Sequence, residues 1–569
     1  MSKRWIYKPI PDQEQIDELG KSLNINAHLT AILLQRGINT YDKAKKFFRP
    51  SLNDLHDPFL MKDMDLAVER MKLAIDRKEK ILVYGDYDVD GTTSVSLVYS
   101  YLRSFYHDCA YYIPDRYAEG YGVSRAGVIY AEENSFTLII ALDLGIKADD
   151  MVMLANHKGI DFIICDHHLP DKKIPQAVAV LDPKQDNCDY PFTELSGCGI
   201  GFKLLQAFAR RYADEQDVYD YLDLVVVSIA SDIVPISGEN RILAHYGLKK
   251  LNENPRPGLK ALKDIAGTKS DLDISGVVFT LGPRINAAGR VAHAHGAVEL
   301  LNSKTEEEAN AFAEKVNIKN DLRREFDLSI TEEALAMIGS DEILKNAKST
   351  VLFKNSWHKG VIGIVAARCI ERYYRPTVIL TESNEKITGS ARSVNGFDLY
   401  QAIEQCGDLL EKFGGHKYAA GLTMDPTNLT AFQQRFEEVV TASITDEMLT
   451  PVVEIDLPIN FDTITTKFLA VLKQMAPFGP ENQRPMFEAK NVFVLNSLAT
   501  FKDKHLRFLA GQYGNEFFFN VVGFDQIEHF EQMQKGDSFS MAFTIEENTF
   551  NGNTSVQLRI KDIKFNEKK

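Results

Sequence analysis

Features that mark secreted, membrane-spanning and zinc-finger proteins are scarce in this sequence. Its 569 residues include six cysteines, none of them in a Cys-x-x-Cys pair, so we expect no disulfide framework, no zinc site and a cytoplasmic location. No apolar segment typical of a signal peptide follows the first residues. The most apolar stretches, TLIIALDLGI and YLDLVVVSIA, contain acids and are too short to span a bilayer.

An excess of basic residues is also missing. The chain carries 65 Lys and Arg against 80 Asp and Glu, a formal net charge of −15, which argues against indiscriminate coating of nucleic acid. Nucleic-acid binding is not excluded by this total, because a local basic groove and bound metal ions reverse the field where a substrate lies. Apolar content of 44% and charged content of 25% are ordinary for globular proteins, and the length suggests about three or four domains.

Strands alternate with helices after about residue 80, which predicts a parallel sheet in an α/β fold. The strands are apolar throughout, as expected for burial on both faces. The predicted strands are KILVYG, CAYYIP, FTLIIALDLG and DFIICDHH, and the predicted helices are TTSVSLVYSYLRSF, RAGVIYAEEN and ADDMVMLANHKG. In the N-terminal segment, LTAILLQRGI and YDKAKKFF are predicted helices.

Acids and histidines follow three of the predicted strands. They are, in chain order, Asp86, Asp88, Asp90, Asp143, Asp166, His167 and His168. Ligands of parallel sheets bind beyond the carboxyl ends of the strands, so we expect these side chains to converge at one edge.

A metal site is the favoured interpretation of this convergence. The three carboxylates of GDYDVDG repel one another unless a cation compensates, although a solvated acidic turn is an alternative for this motif alone. A Ca²⁺ loop of the EF-hand type does not fit, because VDGTTSVSLVYS lacks the required acids. Carboxylates combined with imidazole suit Mn²⁺ or Mg²⁺, and the expected arrangement is two ions about 3.5–4 Å apart that clamp a phosphodiester.

The ordered motifs resemble those of the DHH phosphoesterase superfamily. GDYDVDG, the lone Asp143, DHH and Asp232 in SIASDIVP match its four motifs, and LGPRINAAGR, GSARS and FGGHKYAAG are similar to signatures of its RecJ branch. The resemblance implies that the metals are bound by Asp88, Asp90, Asp143, His167 and Asp232, with Asp143 bridging the ions. It gives Asp86 and His168 supporting catalytic roles. Tyr84 stands where the pyrophosphatase branch has a ligand histidine.

Substrate contacts are expected in three further segments and at Arg116. LGPRINAAGR, interpreted as an interrupted loop, carries Arg284, Asn286 and Arg290, and Arg116 is another phosphate candidate; a solvated surface is the alternative for each arginine. His293 and His295 nearby are open between structural and functional roles. Ser390 and Arg392 of GSARS match the pair that RecJ proteins use for a terminal 5′ phosphate. The glycine-rich turn Phe413-Gly414-Gly415-His416 is expected to let the backbone approach the substrate, with His416 near the scissile phosphate or hydrogen-bonded within the turn.

From about residue 450 the pattern changes to short β segments, which predicts a small barrel of the OB type. Asn551-Gly552 is a hairpin signal within it. Four phenylalanines, Phe508, Phe517, Phe518 and Phe519, are candidates for base stacking, but a core role is favoured.

The expected domain boundaries follow from these patterns. The domains are an N-terminal helical segment (1–75), a DHH phosphoesterase domain (76–304), a connecting helix (305–338), a second α/β, DHH-associated domain (339–445) and an OB-fold domain (446–569).

The function implied by the resemblance is 5′→3′ exonuclease action on single-stranded DNA, in repair and recombination. The implied partners, besides the DNA, are a single-strand-binding protein and a RecQ-like helicase. Two alternatives remain: a phosphodiesterase of short oligonucleotides or cyclic dinucleotides, and a replication scaffold without catalysis. The C-terminal β region argues against the first and the complete ligand set against the second.

Overall fold

The computed structural model describes residues 3–291, 294–550 and 553–565. His293 and the Asn551-Gly552 turn lie outside the described residues. The chain forms two compact units. The parallel-sheet unit consists of Arg49–Arg324 and Ala476–Gln483, and the barrel unit consists of Met1–Phe48, Glu325–Met475 and Arg484–Lys569. Within the described ranges, no helix has the length and apolarity that a bilayer crossing requires.

The N-terminal part of the barrel unit is mostly helical, as predicted. Its elements are β1 (Arg4–Tyr7), α1 (Gln13–Leu23), α2 (Ala27–Gln35) and α3 (Tyr41–Phe48). The Asp12 carboxylate starts α1 by accepting hydrogen bonds from two backbone amides, and Asn24 ends the helix in the left-handed region. Strand β1 was not expected, because its partner is the distant segment Val452–Ile455.

The predicted parallel sheet is confirmed in the parallel-sheet unit. Its strands are β2 (Lys80–Gly85), β3 (Cys109–Tyr112), β4 (Phe136–Leu142), β5 (Asp161–Cys165) and β6 (Ala179–Leu181). All pairings are parallel and the order is β3-β2-β4-β5-β6. The chain leaves β2 toward β3 on one side and later returns to β4 on the other, which creates a topological switch point between β2 and β4.

Helices surround this sheet and complete the unit. They are α4 (Met64–Asp76), α5 (Val89–Arg103), α6 (Arg125–Glu133), α7 (Asp149–His157), α8 (Gly197–Tyr212), α9 (Leu222–Ser231), α10 (Gly238–Glu253), α11 (Pro257–Ile265), α12 (Ile274–Thr280), α13 (Gly282–Val291), α14 (His295–Asn302) and α15 (Glu306–Ser340), the last of which extends past the end of the unit at Arg324. LGPRINAAGR was expected to be a loop and instead forms α13, so that prediction is wrong. Its proline lies in the first helical turn, where the missing N–H has no helical partner to lose.

The second α/β sheet belongs to the barrel unit. Its elements are α16 (Glu342–Asn346), β7 (Thr350–Phe353), α17 (Ile362–Arg372), β8 (Thr377–Ser383), β9 (Lys386–Arg392), α18 (Leu399–Glu404), β10 (Lys412–His416), β11 (Ala419–Met424) and α19 (Leu429–Ser443). The order is β10-β11-β9-β8-β7, and β7–β8 is its parallel pair.

The expected glycine-rich turn at residues 413–416 is instead part of strand β10, which is a second correction. Gly415 has a φ of +146°, and a Cβ there would lie 2.3 Å from the Ala419 carbonyl oxygen on the paired strand. Gly415 therefore permits close strand pairing, and the chain turns at Lys417 and Tyr418.

The predicted C-terminal barrel is confirmed. Its elements are β12 (Val452–Ile455), β13 (Leu457–Pro458), α20 (Thr466–Gln474), β14 (Phe487–Phe501), β15 (His505–Gln512), β16 (Phe519–Gly523), α21 (Phe530–Gln534), β17 (Phe539–Phe550) and β18 (Asn553–Phe565). The order β14-β15-β16-β18-β17 closes into a ring through the pairing of β17 with β14.

The barrel aromatics divide between core and surface. Phe508 is buried, and the half-buried Phe519 packs edge-on against Phe461 with ring centroids 5.2 Å apart. Phe517 and Phe518 remain 50% and 58% exposed. The core interpretation therefore holds fully for Phe508 and partly for Phe519, and the other two rings are exposed enough to stack on bases.

Candidate metal centre and phosphate-binding residues

The acids and histidines at the strand ends converge as predicted. The Nε2 atom of His167, which follows β5, lies 3.2 Å from the nearest Asp143 carboxylate oxygen, which follows β4. The same nitrogen is 3.6 Å from Asp232 and 3.7 Å from Asp90. The ligand atoms of Asp86, Asp88 and Asp143 form a neighbouring group within 4.8 Å of one another. Two adjoining donor groups thus meet at the switch point between β2 and β4.

The start of α5 explains why two of the acids point to this edge. Asp88 caps the helix by accepting a hydrogen bond of 3.0 Å from the Gly91 amide. Asp90 lies in the first turn and is only 2% exposed. The positive N-terminal end of a helix favours carboxylates at both positions.

The Asp90 carboxylate is fixed by a second helix. It accepts hydrogen bonds from the amides of Gly197 (2.7 Å) and Cys198 (2.8 Å) at the start of α8, and from the Ser228 hydroxyl on α9 (2.7 Å). A Cβ at Gly197 would lie 2.6 Å from the Cβ of Asp143, so glycine is required for this helix end to approach both acids. Neither Gly197 nor Ser228 was predicted from the sequence.

Within the DHH sequence, Asp166 fixes the positions of the two histidines through hydrogen bonds. Its carboxylate accepts hydrogen bonds from the amides of His167 (2.8 Å) and Ile146 (2.9 Å) and pairs with His168 Nδ1 at 2.7 Å. Burial raises the pKa of Asp166, but the hydrogen bond and charge of His168 lower it to about 2. Burial lowers the pKa of His168, but Asp166 raises it to about 9. His168 is therefore a cation held beside the cluster, which suits a supporting position.

Four carboxylates of the cluster have pKa values above their ordinary range. Burial is the main cause for Asp86, Asp88, Asp143 and Asp232, and repulsion among neighbouring carboxylates adds to it. The pKa of Asp232 rises to about 8. The pKa of His167 is lowered, chiefly by burial, so its imidazole is neutral and its lone pair is available.

The donor set fits divalent cations. Among the described residues, His167 Nε2 and Asp86 Oδ1 are buried without a hydrogen-bond partner, which costs free energy unless another group satisfies them. Clustered carboxylates with one neutral imidazole match the preferences of Mn²⁺ and Mg²⁺. A cation would reduce the repulsion among the carboxylates and would give His167 Nε2 and Asp86 Oδ1 a partner.

Tyr84 does not take the place of a ligand. Its hydroxyl accepts a hydrogen bond of 3.1 Å from the Ser124 amide, and its ring stacks on Tyr112 with centroids 5.2 Å apart. Burial raises its pKa to about 12, so it stays protonated. Tyr84 therefore supports the segment around Ser124.

Two further residues lie at this edge that no sequence pattern predicted. Asp182 follows β6, is fully buried, and has a pKa that burial raises to about 7. Its strand has only three residues, too short for a periodic signal. The Tyr121 hydroxyl lies 3.3 Å from His168 Nε2.

The arginines of the parallel-sheet unit differ in their surroundings. The Arg116 guanidinium lies 5.0 Å from the ring centre of Tyr87, and its charge lowers the raised pKa values of Asp86 and Asp88. Arg284 is bonded inside the protein, donating to the Thr280 carbonyl (2.7 Å) and the Asn317 side chain (3.1 Å).

Asn286 and Arg290 are half-buried on α13. The Tyr117 hydroxyl donates to the Arg290 carbonyl oxygen, which ties the end of α13 to the segment that carries Arg116. Gly289 on the same helix packs against the backbone of GDYDVDG, because a Cβ there would lie 2.7 Å from the Tyr87 carbonyl oxygen. The structure therefore brings this signature beside the metal motif. His295, the other histidine of this region, lies 3.1 Å from the Tyr111 hydroxyl.

Ser390 and Arg392 meet in the barrel unit. Arg392 Nη1 donates to the Ser390 hydroxyl at 3.1 Å, and both side chains reach the start of α17. A Cβ at Gly363 in its first turn would lie 2.8 Å from Ser390 Oγ and 2.9 Å from Arg392 Nη2. A guanidinium, a hydroxyl and a helix N-terminus together are suited to an anion such as phosphate. His416 and Gly414 lie exposed on β10 of the same sheet.

The chain matches three family profiles. They are the DHH family, N-terminal domain (residues 80–229), the DHHA1 domain (residues 346–442) and the RecJ OB domain (residues 455–562).

Named relatives extend over nearly the whole chain. It is 35% identical over 561 residues to the single-stranded-DNA-specific exonuclease RecJ of Bacillus subtilis (strain 168), covering 98% of this chain and 70% of that protein. It is 31% identical to the protein of the same name from Dickeya dadantii (strain 3937), covering 95% of this chain and 96% of that protein. The crystal structure of RecJ from Thermus thermophilus in complex with Mn²⁺ superimposes with a TM-score of 0.83 at 25% identity, covering 99% of this chain and 80% of that one.

Proposed function

This chain belongs to the RecJ family of single-stranded-DNA-specific exonucleases, and from that membership we propose that it hydrolyses single-stranded DNA from the 5′ end with two divalent metal ions. It is a metal-dependent hydrolase of the DHH type. The polarity, the use of two ions and the individual residue roles are the proposed parts.

One observation carries the proposal. A neutral, buried imidazole nitrogen, His167 Nε2, faces carboxylate oxygens of three different motifs at 3.2–3.7 Å and has no hydrogen-bond partner among the described residues. The nitrogen thus makes no hydrogen bond with any of the three carboxylates, and their arrangement around it suits groups that share a cation. The neighbouring triad Asp86, Asp88 and Asp143 offers a second donor group that shares Asp143.

The roles follow from this arrangement. Asp90, His167 and Asp232 would hold one ion, Asp86 and Asp88 would contribute to the other, and Asp143 would bridge them. When bound, the two ions supply Lewis acidity toward a phosphodiester and an activated water at neutral pH. His168, fixed as a cation by Asp166, would orient His167 and add positive charge beside the phosphate.

The phosphate-binding residues would position the end of the DNA strand. Ser390, Arg392 and the start of α17 are proposed to hold the terminal 5′ phosphate, because they combine a planar donor with a helix N-terminus. Arg116 and Arg290 are proposed to contact internal phosphates. Arg284 and Asn286 remain proposed substrate contacts, and Arg284 also donates hydrogen bonds to neighbouring protein groups. On β10, His416 remains a proposed catalytic residue that stabilises the scissile phosphate, and Gly414 and Gly415 remain proposed substrate contacts.

The chain's division of labour is proposed as follows. The phosphoesterase domain (76–304) hydrolyses, the DHH-associated domain (339–445) holds the strand end, and the OB domain (446–569) binds the strand body. The N-terminal segment (1–75) and the connecting helix (305–338) support them. The matched profiles at 80–229, 346–442 and 455–562 support the three main assignments.

The cellular setting is proposed from the resemblance to the RecJ branch. An enzyme limited to single strands needs a supply of them, which a RecQ-like helicase produces by unwinding and a single-strand-binding protein covers. We therefore propose both as partners, a role in repair and recombination, and a cytoplasmic location that keeps the six thiols reduced.

A direct assay tests the proposal against its rivals. The protein is incubated with Mn²⁺ or Mg²⁺ and single strands labelled at either end, and products are resolved over time. Early release of mononucleotides from the 5′ label supports the proposal. Early release from the 3′ label contradicts the polarity. Hydrolysis of only dinucleotides and trinucleotides supports a short-oligonucleotide phosphodiesterase, and no hydrolysis with bound metal supports a scaffold.

A further inference from the structure

A short segment of the C-terminal half of the chain folds with the phosphoesterase residues. Ala476–Gln483, here called the strap, lies in sequence between α20 and β14, which belong to the barrel unit, yet it belongs to the parallel-sheet unit. Its backbone forms a tight loop in which the amides and carbonyls of Gly479 and Asn482 exchange hydrogen bonds of 3.0 and 3.1 Å. The buried Asn482 side chain closes the loop by donating to the Pro477 carbonyl at 2.7 Å.

The strap contacts the loop that follows Asp232. The Ile236 amide donates to the Pro480 carbonyl at 2.8 Å, and the Ser237 hydroxyl donates to Glu481 at 2.8 Å. A Cβ at Gly479 would lie 2.5 Å from Ile236 Cγ1, so the strap backbone packs directly on this side chain. Ile236 is 1% exposed. The contact is therefore close and involves both backbone and side chains.

Arg241 on α10 holds the beginning of the strap. The residue is 5% exposed, and its guanidinium donates to the carbonyls of Ala476 (2.9 Å) and Pro477 (3.3 Å). Loss of these bonds would leave the buried Arg241 charge poorly satisfied. Arg241 thus holds the beginning of the strap, and Ile236 and Ser237 hold its later residues.

The anchored loop begins at a proposed metal ligand. Asp232 ends α9, and only Ile233, Val234 and Pro235 separate it from Ile236. Ile233 has a φ of +61°, which is costly for a β-branched residue and persists only where the surrounding structure enforces it. The strap holds the downstream end of this loop in place, and α9 holds its upstream end.

We propose that the strap, held by Arg241, positions the Asp232 carboxylate for metal binding, so that metal affinity depends on residues far outside the four phosphoesterase motifs. The inference rests on the proposed function of Asp232 as a ligand. Arg241 and Gly479 are positioning residues, because they act on Asp232 through the Ile236 backbone and side chain. A truncation that removes everything from residue 450 onward would also remove the strap, and would therefore disturb the metal centre as well as the barrel.

Binding of Mn²⁺ to the full-length chain tests the inference without reference to hydrolysis. The EPR signal of free Mn²⁺ gives the affinity and the number of bound ions. Arg241→Lys keeps the charge but loses the two planar N–H groups that donate to the two carbonyls, and Gly479→Ala forces Ile236 to shift. Each should weaken the affinity of one ion by about tenfold, the lower end of what loss of a supporting contact costs in metal sites.

Matched variants separate positioning from general loss of stability. Arg375→Lys changes another buried arginine that donates to backbone carbonyls, those of Leu344 and Lys345. Gly339→Ala places a Cβ where no atom lies within 4 Å. Both should keep wild-type Mn²⁺ affinity, even where thermal unfolding shows that Arg375→Lys is less stable.

Three results would overturn the inference. Wild-type affinity in Arg241→Lys and Gly479→Ala would show that the strap does not position Asp232. Equal weakening in Arg375→Lys would show that stability alone is responsible. Unchanged Mn²⁺ binding in Asp232→Asn would remove Asp232 as a ligand, and would count against the proposed function itself.

Discussion

The carboxylate cluster of the parallel-sheet unit and the Ser390–Arg392 pair of the barrel unit are opposite solutions to binding one phosphodiester strand. The cluster gathers acids whose pKa values are raised by burial and mutual repulsion, so it is incomplete without cations. The pair offers a permanent cation, a hydroxyl and a helix N-terminus, so it is complete as it stands. One region needs metal before it can attract phosphate, and the other does not.

This difference predicts separable defects. Damage to the cluster should remove hydrolysis of every substrate, because the chemistry depends on the metals. Damage to the pair should change which strand ends are used and leave the metals bound.

The largest effect is expected at Asp143. Asp143→Asn removes the charge of the proposed bridging ligand and tolerates its φ of +61°, a backbone conformation at which alanine would be strained. Hydrolysis should fall by at least about 1,000-fold on all substrates, because both ions lose a ligand. The rate of nucleotide release in metal-defined buffer measures it, with the exposed Asp76→Asn as the control. Near-normal turnover would remove Asp143 from the metal centre.

The next effect concerns the strand end. Arg392→Lys loses the planar two-bond contact to a phosphate, so digestion of 5′-phosphorylated strands should slow by about tenfold or more, while 5′-hydroxyl strands change little. Mn²⁺ binding should stay normal. Arg435→Lys, on α19 of the same unit, is the control. Equal slowing on both substrates would show that Arg392 does not recognise the end.

A smaller effect should come from the exposed barrel rings. Phe517→Ser combined with Phe518→Ser removes an exposed aromatic surface on which one base could stack, worth about 1 kcal/mol. KM for long single strands should rise by about fivefold, with kcat and the hydrolysis of trinucleotides unchanged. Leu495→Ser, also exposed on the barrel, is the control. An equal effect on trinucleotides would mean that these rings support the fold and do not bind the strand.

The smallest effect concerns how the stability of the carboxylate cluster depends on pH. The pKa of Asp232 is raised from 3.8 to about 8 in the folded protein, chiefly by burial. Between these values the folded state binds more protons than the unfolded state, so metal-free stability should fall as pH rises from 5 to 8. The unfolding midpoint in EDTA should drop by roughly a few degrees, and saturating Mn²⁺ should reverse the trend. Asp232→Asn should flatten the slope; an unchanged slope would contradict the assignment.

The sequence predicted most, but not all, of the carboxylate cluster. The cluster was predictable because buried apolar runs end directly before Asp86, Asp143 and Asp166, and parallel strand ends share one edge. Asp182 was missed because β6 is too short to be recognised. The hydrogen bonds from Gly197 and Ser228 to Asp90 were missed because they join distant parts of the chain.

Other errors have the same physical origin. Gly414 and Gly415 were interpreted as a turn because local propensity favours one, but pairing with β11 makes them part of a strand. Gly282 and Pro283 suggested a loop, although proline is compatible with a first helical turn. Strand β1 and the strap depend on partners hundreds of residues away, which no local pattern records.

The strap also bears on the order in which the protein is made. Arg241 and the Ala476 carbonyl that it binds are 235 residues apart in the chain. During synthesis the ribosome must therefore release the phosphoesterase motifs, the second sheet and α20 before the loop after Asp232 can gain its last contacts. A nascent chain would carry a metal centre with weakened metal affinity until the residues from Ala476 onward emerge from the ribosome and the strap reaches the loop after Asp232.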